Sequence, residues 1–163
     1  MFKKLFGFGG GNSTKTQQGD IQQGATALTA EDEALLSLIR DFELAPSEDE
    51  QRSIVGESFY QENLEEIAGG KHEQSAEIIV RVELRRTPNN PYDSNAVGVF
   101  VEDLQVGNLS REDAKIMGAF LISEGVASAQ CLGTIIGGWK RKDSEGHFGL
   151  ELDIAWPPAE ELE

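Results

Sequence analysis

A dense polar corner between two alternating apolar runs constrains the fold of this chain more than any other feature. Aliphatic residues recur at every second position on both sides of it, at Ile78, Val80, Val82 and Leu84 before the corner and at Val97, Val99 and Val101 after it. A period of two is typical of a strand with one buried face. We therefore expect two strands joined by residues 86–96.

The corner itself is chemically specific. Pro88 and Pro91 fix φ near about −65° and disfavour helix at the residues before them, and Asn and Asp side chains bond their own backbone in turns. The segment also carries the ring of Tyr92, the carboxylate of Asp93 and a flanking arginine, Arg86. Two interpretations stay open here: a surface that recognises a ligand, or a hairpin connection held by Asx hydrogen bonds.

The rest of the chain from residue 52 predicts short strands and a helix. Glu102-Asp103 is a tight turn into a strand over residues 104–109, and Ser110 with Asp113 forms a capping pair that opens a helix. That helix runs to about Ser123, before Gly125, and two further strands are predicted over residues 130–139 and 148–156. A second helix is predicted before residue 50. Short strands with these two helices and no βαβ alternation predict a mainly β fold with some α structure, a small barrel.

Composition divides the chain into four regions. Residues 1–28 are rich in Gly, Gln, Ser and Thr, which predicts a disordered tail. Residues 29–50 read as an amphipathic acidic helix, from Ala30 to about Leu44, followed by a linker; its apolar face packs on the barrel or on another copy, or docks a protein partner. Residues 51–157 form the barrel domain, and residues 158–163 are expected to be an acidic tail.

Three ordered segments resemble the HIRAN domain family: residues 85–97 (RRTPNNPYDSNAV), residues 105–110 (QVGNLS) and residues 54–60 (IVGESFY), the last similar to that family's first strand. The resemblance extends over residues 52–156. It implies an OB-like or SH3-like β-barrel with two or three helices. HIRAN domains occur in DNA-repair helicases and as free-standing bacterial proteins, so the resemblance also implies binding of single-stranded DNA with a pocket for the free 3′-hydroxyl end.

The resemblance also assigns roles to residues. It places Phe59 and Tyr92 among the aromatics that contact a base or sugar, Asp93 where a carboxylate accepts a hydrogen bond from the terminal hydroxyl, and Asn90 in the lining of the same pocket. Further candidates for nucleic-acid binding are Tyr60, Arg86, Asn108, Arg111 and Lys140, and Trp139 and Phe148 are additional aromatic candidates. Ser58 and Asn108 stand where the DNA-binding helicases carry arginine and histidine, so we expect micromolar affinity.

The net charge of −15 argues against non-specific binding along duplex DNA. Residues 51–159 alone hold ten basic and seventeen acidic side chains, a net −7. Capture of one strand end needs only a local positive field, because charges more than about 8 Å away are largely screened at physiological salt. The local candidates are Arg81, Arg85 and Arg86 on one run and residues 140–142 on another. A solvated surface remains the alternative for these runs.

The sequence carries no sign of catalysis. His72 and His147 are not in a recognisable catalytic or metal-binding spacing, and we expect no enzyme activity, metal or cofactor. The single Cys131 and the lack of a long apolar run predict a cytoplasmic protein without a membrane span. The two functional hypotheses are a module that binds single-stranded DNA ends in replication or repair, and a protein-interaction module whose acidic helix, residues 30–44, binds a partner without any contact to DNA.

Overall fold

The computed structural model describes residues 42–162. The predicted tail of residues 1–28 and most of the predicted helix from Ala30 to about Leu44 lie outside this range. Within it, Phe42 and Leu44 are extended and buried, and the backbone N–H of Leu44 donates to the carbonyl of Gln130 at 2.9 Å. The predicted helix therefore does not include residues 42–44, because these residues pair with a strand and bury their apolar side chains in the core.

One curled antiparallel sheet of six strands forms the centre of the described structure. The strands are β1 (Arg52–Ser53), β2 (Ala76–Arg86), β3 (Val97–Val101), β4 (Leu104–Asn108), β5 (Ser128–Gly137) and β8 (Phe148–Asp153). Their order across the sheet is β1-β8-β5-β2-β3-β4. A separate hairpin consists of β6 (Lys140–Arg141) and β7 (Ser144–Glu145). These elements confirm the mainly β prediction, while the OB-like or SH3-like character of the barrel stays a prediction.

The two edges of the sheet meet at Val55. Just after β1, Val55 exchanges two backbone hydrogen bonds with Asn108 at the end of β4, at 2.8 and 2.9 Å. Gly107 permits this approach, since a Cβ atom there would stand 2.6 Å from Cδ1 of Ile54. The strand predicted over residues 54–60 ends here, because Gly56 turns the chain with φ of +79° into a 3-10 turn, Glu57–Phe59.

Two helices cover the sheet. Helix α1 (Gln61–Ala68) follows the 3-10 turn and buries Leu64 completely. Helix α2 (Arg111–Glu124) begins as predicted, with the hydroxyl of Ser110 accepting the backbone N–H of Asp113 at 3.1 Å, and Gly125 ends it with φ of +71°. The buried face of α2 contains Ala114, Met117 and Leu121.

The core lies between the inner face of the sheet and α2. It contains predicted alternating residues of β2 and β3, Val82, Leu84, Val97, Val99 and Val101, together with Leu150 and Leu152 of β8. The folded unit also extends beyond the predicted limits of 51–157, because residues 159–161 bond to residues 43–45 through backbone groups. Of the helices in the part of the chain that the structure describes, none is long and apolar enough to cross a bilayer.

Candidate nucleic-acid interface

Three segments that carry predicted site residues follow one another across the sheet. Arg86, the last residue of β2, pairs with Val97 of β3, and Gly98 of β3 pairs with Asn108 of β4. Asn108 in turn bonds to Val55. The polar corner (residues 87–96), the start of α2 and the turn after Val55 (residues 56–60) are therefore connected through neighbouring strand ends.

Asn108 is the central residue of this arrangement. A Cβ atom on Gly56 would stand 3.7 Å from its side-chain nitrogen, so the turn of residues 56–60 begins against it. Its Oδ1 atom accepts a hydrogen bond from Nε2 of Gln105 at 3.3 Å, and Gln105 also donates to the carbonyl of Gly107 at 3.1 Å. Gln105 thus holds Asn108 in place. The sequence did not single out Gln105, because its contact with Asn108 depends on the fold of β4.

The polar corner is held by its own hydrogen bonds. The backbone N–H of Thr87 donates to the carbonyl of Ala96 at 3.0 Å, which closes the base of the corner. Oδ1 of Asn90 accepts the backbone N–H groups of Tyr92 at 2.8 Å and of Asp93 at 3.2 Å. The predicted Asx hydrogen bonds are therefore present. The side-chain oxygen of Asn90, predicted to line a pocket, is occupied in shaping the corner.

Asp93 uses one of its two carboxylate oxygens in the same way. Its Oδ1 accepts the backbone N–H of Asn95 at 2.9 Å. Its Oδ2 has no hydrogen-bond partner among residues 42–162, and the residue is only half-buried. The Asx interpretation and the ligand-binding interpretation of Asp93 are consequently compatible, because each needs a different oxygen.

The aromatic candidates differ sharply in exposure. Phe59 is 85% exposed and Tyr92 is 86% exposed, while Tyr60 is half-buried at the start of α1. Phe148 was a wrong candidate: it is 2% exposed, because it occupies an inward position at the start of β8 and packs over Gly138. The ring of Trp139 is covered by the guanidinium of Arg141, 4.6 Å from its centre.

The predicted positive run on β2 is reduced to one residue. Arg81 forms an ion pair with Glu43, and Arg85 forms one with Glu83 at 2.8 Å while lying over the ring of Phe100. The hydrogen bonds with Glu83 raise the pKa of the Arg85 guanidinium above its usual value. Two arginines at the candidate site, Arg86 and Arg111, have no carboxylate partner in the described part of the chain.

Contacts of Asp113 hold the start of α2, where Arg111 lies, against Arg52 of β1. Asp113 forms an ion pair with Arg52 of β1 at 2.9 Å, and the guanidinium of Arg52 lies 4.0 Å from the centre of the Trp156 ring. The side chain of Asp113 is 14% exposed, so its carboxylate is largely shielded from water. Arg52, Asp113 and Trp156 are positioning residues that sequence reasoning did not single out for the site.

Lys140 does not join the other site residues. It starts the β6–β7 hairpin, and its backbone N–H donates to the carbonyl of His72 at 2.7 Å, before the start of β2. Arg86 lies at the other end of β2, ten residues beyond Ala76, which is roughly 30 Å along an extended strand. The basic run of residues 140–142 is thus at the end of the β2–β5 pair far from the polar corner.

Within residues 42–162, no group of three or more His, Cys, Asp or Glu side chains could hold a metal ion. The candidate site offers the exposed rings of Phe59 and Tyr92, together with one carboxylate oxygen and two guanidinium groups that have no charged partner in the described structure. These groups suit stacking, hydrogen bonding and phosphate contacts.

A family model described as the HIRAN domain matches residues 51–142, more than half of the chain. The matched range includes the polar corner, the turn of residues 56–60 and the start of α2. No curated protein and no solved structure matches the chain.

Proposed function

This chain belongs to the HIRAN domain family, whose members are DNA-binding modules, and from that membership we propose that it binds single-stranded DNA at a free 3′-hydroxyl end. We propose a binding module rather than an enzyme, acting where strand ends arise in replication or repair. The buried, single Cys131 is consistent with a reducing cytoplasmic setting.

The exposure of Phe59 and Tyr92 is the observation that carries the proposal. Two large rings at 85% and 86% exposure contribute little to the core, so the fold gives no structural reason for them. Every base has a π-face, and stacking on an aromatic side chain contributes about 1–3 kcal/mol per base. Two such rings on segments connected through Asn108 suit the last bases of a strand.

Asp93 supplies the proposed selectivity for the hydroxyl end. Its free Oδ2 can accept a hydrogen bond from a 3′-hydroxyl group. A terminal phosphate carries a charge of about −1.5 to −2 and donates little at neutral pH, so the carboxylate repels it. A strand that ends in 3′-phosphate should therefore bind more weakly than one that ends in 3′-hydroxyl.

Arg86 and Arg111 supply the local positive charge. Both are free of carboxylates in the described structure, and the acids elsewhere on the domain are screened over about 8 Å at physiological salt. With so few cations, affinity should rest on stacking and on two or three phosphate contacts. We expect a Kd in the micromolar range, which corresponds to about −8 kcal/mol.

The test is fluorescence anisotropy with a short single strand labelled at its 5′ end. The strand is compared with a 3′-hydroxyl and with a 3′-phosphate terminus, and a blunt duplex of the same sequence is the control. The proposal expects the order hydroxyl, then phosphate, then duplex. Equal binding of both single strands would remove the hydroxyl mechanism. A folded protein without affinity for any of them would instead favour a protein-interaction module acting through residues 30–44.

A further inference from the structure

Strand β2 is longer than the neighbour that covers one of its edges. Its eleven residues pair with β5 from Ala76 to Arg85, but β3 pairs only with Glu83 to Arg86. The edge of β2 before Glu83 therefore has no strand partner in the described structure.

The hydrogen-bond register tells which residues face this open edge. Thr87 donates to Ala96, the next pair in the β2–β3 register, and Arg86 donates to Ala127, the next pair in the β2–β5 register. Because the two sides alternate along a strand, odd-numbered residues bond toward β3 and even-numbered residues toward β5. The backbone groups of Glu77 and Ile79 consequently point to the open edge, and no described residue bonds to them.

The side chains along this edge are unusual for an unprotected strand. Ile79 is 72% exposed on the outer face, and its inward-facing neighbours Ile78 and Val80 are only partly buried. Proteins usually protect an open edge with lysine, proline or a bulge, because an apolar edge pairs with other chains. Residues 77–80 contain none of these.

We propose that the open edge of β2 pairs with the same edge of a second copy of this chain, antiparallel and centred on Ile79. In that register Ile79 lies opposite Ile79 of the second copy, and both residues face the edge, so each N–H meets the other's carbonyl. Glu77 lies opposite Arg81 of the second copy, and the reciprocal pair forms by symmetry.

The sequence of the edge favours this occupant because it is self-complementary. Glu77 lies two residues before Ile79 and Arg81 two residues after it, so antiparallel pairing places opposite charges across from each other on both sides of Ile79. Ile78 meets Val80 of the second copy on the inner face, which covers two partly buried aliphatic side chains. In a single copy Arg81 pairs with Glu43, which lies beyond β5, so dimerisation turns the guanidinium from Glu43 to Glu77 of the second copy.

The pairing is short and is opposed by charge. It extends from Glu77 to Arg81, because β3 occupies the edge from Glu83 onward. Each chain carries −15, so the two copies repel each other at low salt. The dimer should therefore be weak and should strengthen as salt rises through about 0.15 M, where repulsion is screened beyond about 8 Å. The candidate nucleic-acid interface, at the other end of β2, stays open in both copies.

Sedimentation velocity of the full chain over a range of concentrations and salt tests the proposal. The wild type should show a concentration-dependent dimer, and Ile79→Lys should weaken it at least about tenfold by placing two ammonium groups opposite each other. Ile122→Lys is the matched control, because Ile122 is 60% exposed on α2 rather than on the β2 edge, and should leave dimerisation unchanged.

A charge exchange tests the register. Glu77→Lys should weaken the dimer, because the new lysine faces Arg81 of the second copy, and Glu77→Lys combined with Arg81→Glu should restore it. Circular dichroism checks that each variant is folded. A wild type that stays monomeric up to about 1 mM overturns the proposal. At that concentration any dimer with a binding free energy stronger than about −4 kcal/mol would be detected. A dimer that Ile79→Lys leaves intact, or a double variant that stays as weak as Glu77→Lys alone, also overturns the proposal.

Discussion

The carboxylate of Asp93 accepts the backbone N–H of Asn95 through Oδ1, at 2.9 Å, and leaves Oδ2 without a partner in the described structure. Asp93→Asn keeps an acceptor for Asn95 but removes the charge. We expect little change in the free energy of unfolding, within about 1 kcal/mol, and a loss of the preference for 3′-hydroxyl over 3′-phosphate strands. Urea unfolding and anisotropy measure the two effects. If Asp93→Asn kept the wild-type preference, the carboxylate would not be the selective group.

Removal of either exposed ring should weaken DNA binding without weakening the fold. Phe59→Ala and Tyr92→Ala should each cost about 1–3 kcal/mol of binding free energy, the usual contribution of one stacked base. Thermal unfolding should change little, because the rings are 85% and 86% exposed. Ile122→Ala is the control. It removes an exposed apolar side chain that lies on α2, outside the candidate site, and should bind like the wild type. Unchanged affinity in both ring variants would contradict the assigned site.

The salt dependence of binding should locate the phosphate contacts. Arg86→Ala and Arg111→Ala should each reduce the slope of log K against log salt by about 0.7, the value for one contact to a single strand. Lys140→Ala should leave the slope for a short strand unchanged, because Lys140 lies at the far end of the β2–β5 pair. A smaller slope in Lys140→Ala than in either arginine variant would assign the phosphate contacts to the β6–β7 hairpin instead.

Burial raises the pKa of the Cys131 thiol to about 12 from its usual 9.0, and the nearby Asp153 adds to the shift. Since the folded-state pKa lies above the unfolded one, the thiol's contribution to stability is complete below pH 9 and is lost progressively between pH 9 and 12. At pH 10 the loss should be about 1.4 kcal/mol. Urea unfolding at pH 8 and pH 10 measures it, with Cys131→Ala to subtract the other titrating groups. An equal pH effect in the variant would contradict this origin.

Two glycine substitutions should have opposite effects on stability. Gly138 has φ of +68°, and a Cβ atom there would overlap the Phe148 ring, so Gly138→Ala should destabilise the domain by about 1–3 kcal/mol. Gly118 lies inside α2 with no atom within 4 Å of a new Cβ, so Gly118→Ala should stabilise it by about 0.5–1 kcal/mol. Denaturant midpoints compare the two. Stabilisation by Gly138→Ala would contradict the expected overlap between the new Cβ atom and the Phe148 ring.

Local features of the fold could be predicted because neighbouring residues determine them. The alternation in β2 and β3 and the cap of α2 at Ser110 were predicted and are present. The predicted tight turn, Glu102-Asp103, has φ of 51° and 69° in the structure. Helix α1 was missed, since it is eight residues long and buries one side chain fully, which leaves almost no periodic signal.

Long-range contacts could not be predicted from the sequence. The bond between Val55 and Asn108 depends on how the sheet curls. The ion pair of Arg81 with Glu43 joins residues that are far apart in the chain, and it removes Arg81 from the predicted positive run. At the site, the resemblance pointed to Phe59 and Tyr92, and their exposure agrees with it. Gln105 and Arg52 could not be found in this way, because their contacts with Asn108 and Asp113 exist only in the folded structure.

The shape of the polar corner depends on backbone groups bonded by Asn90 and Asp93, and the ring of Tyr92 takes no part in it. The side chain at position 92 can therefore be exchanged while its platform keeps the same outline. In the proposed binding mode, a substitution at this position alters the ring offered to the DNA and leaves the backbone of the corner as it is.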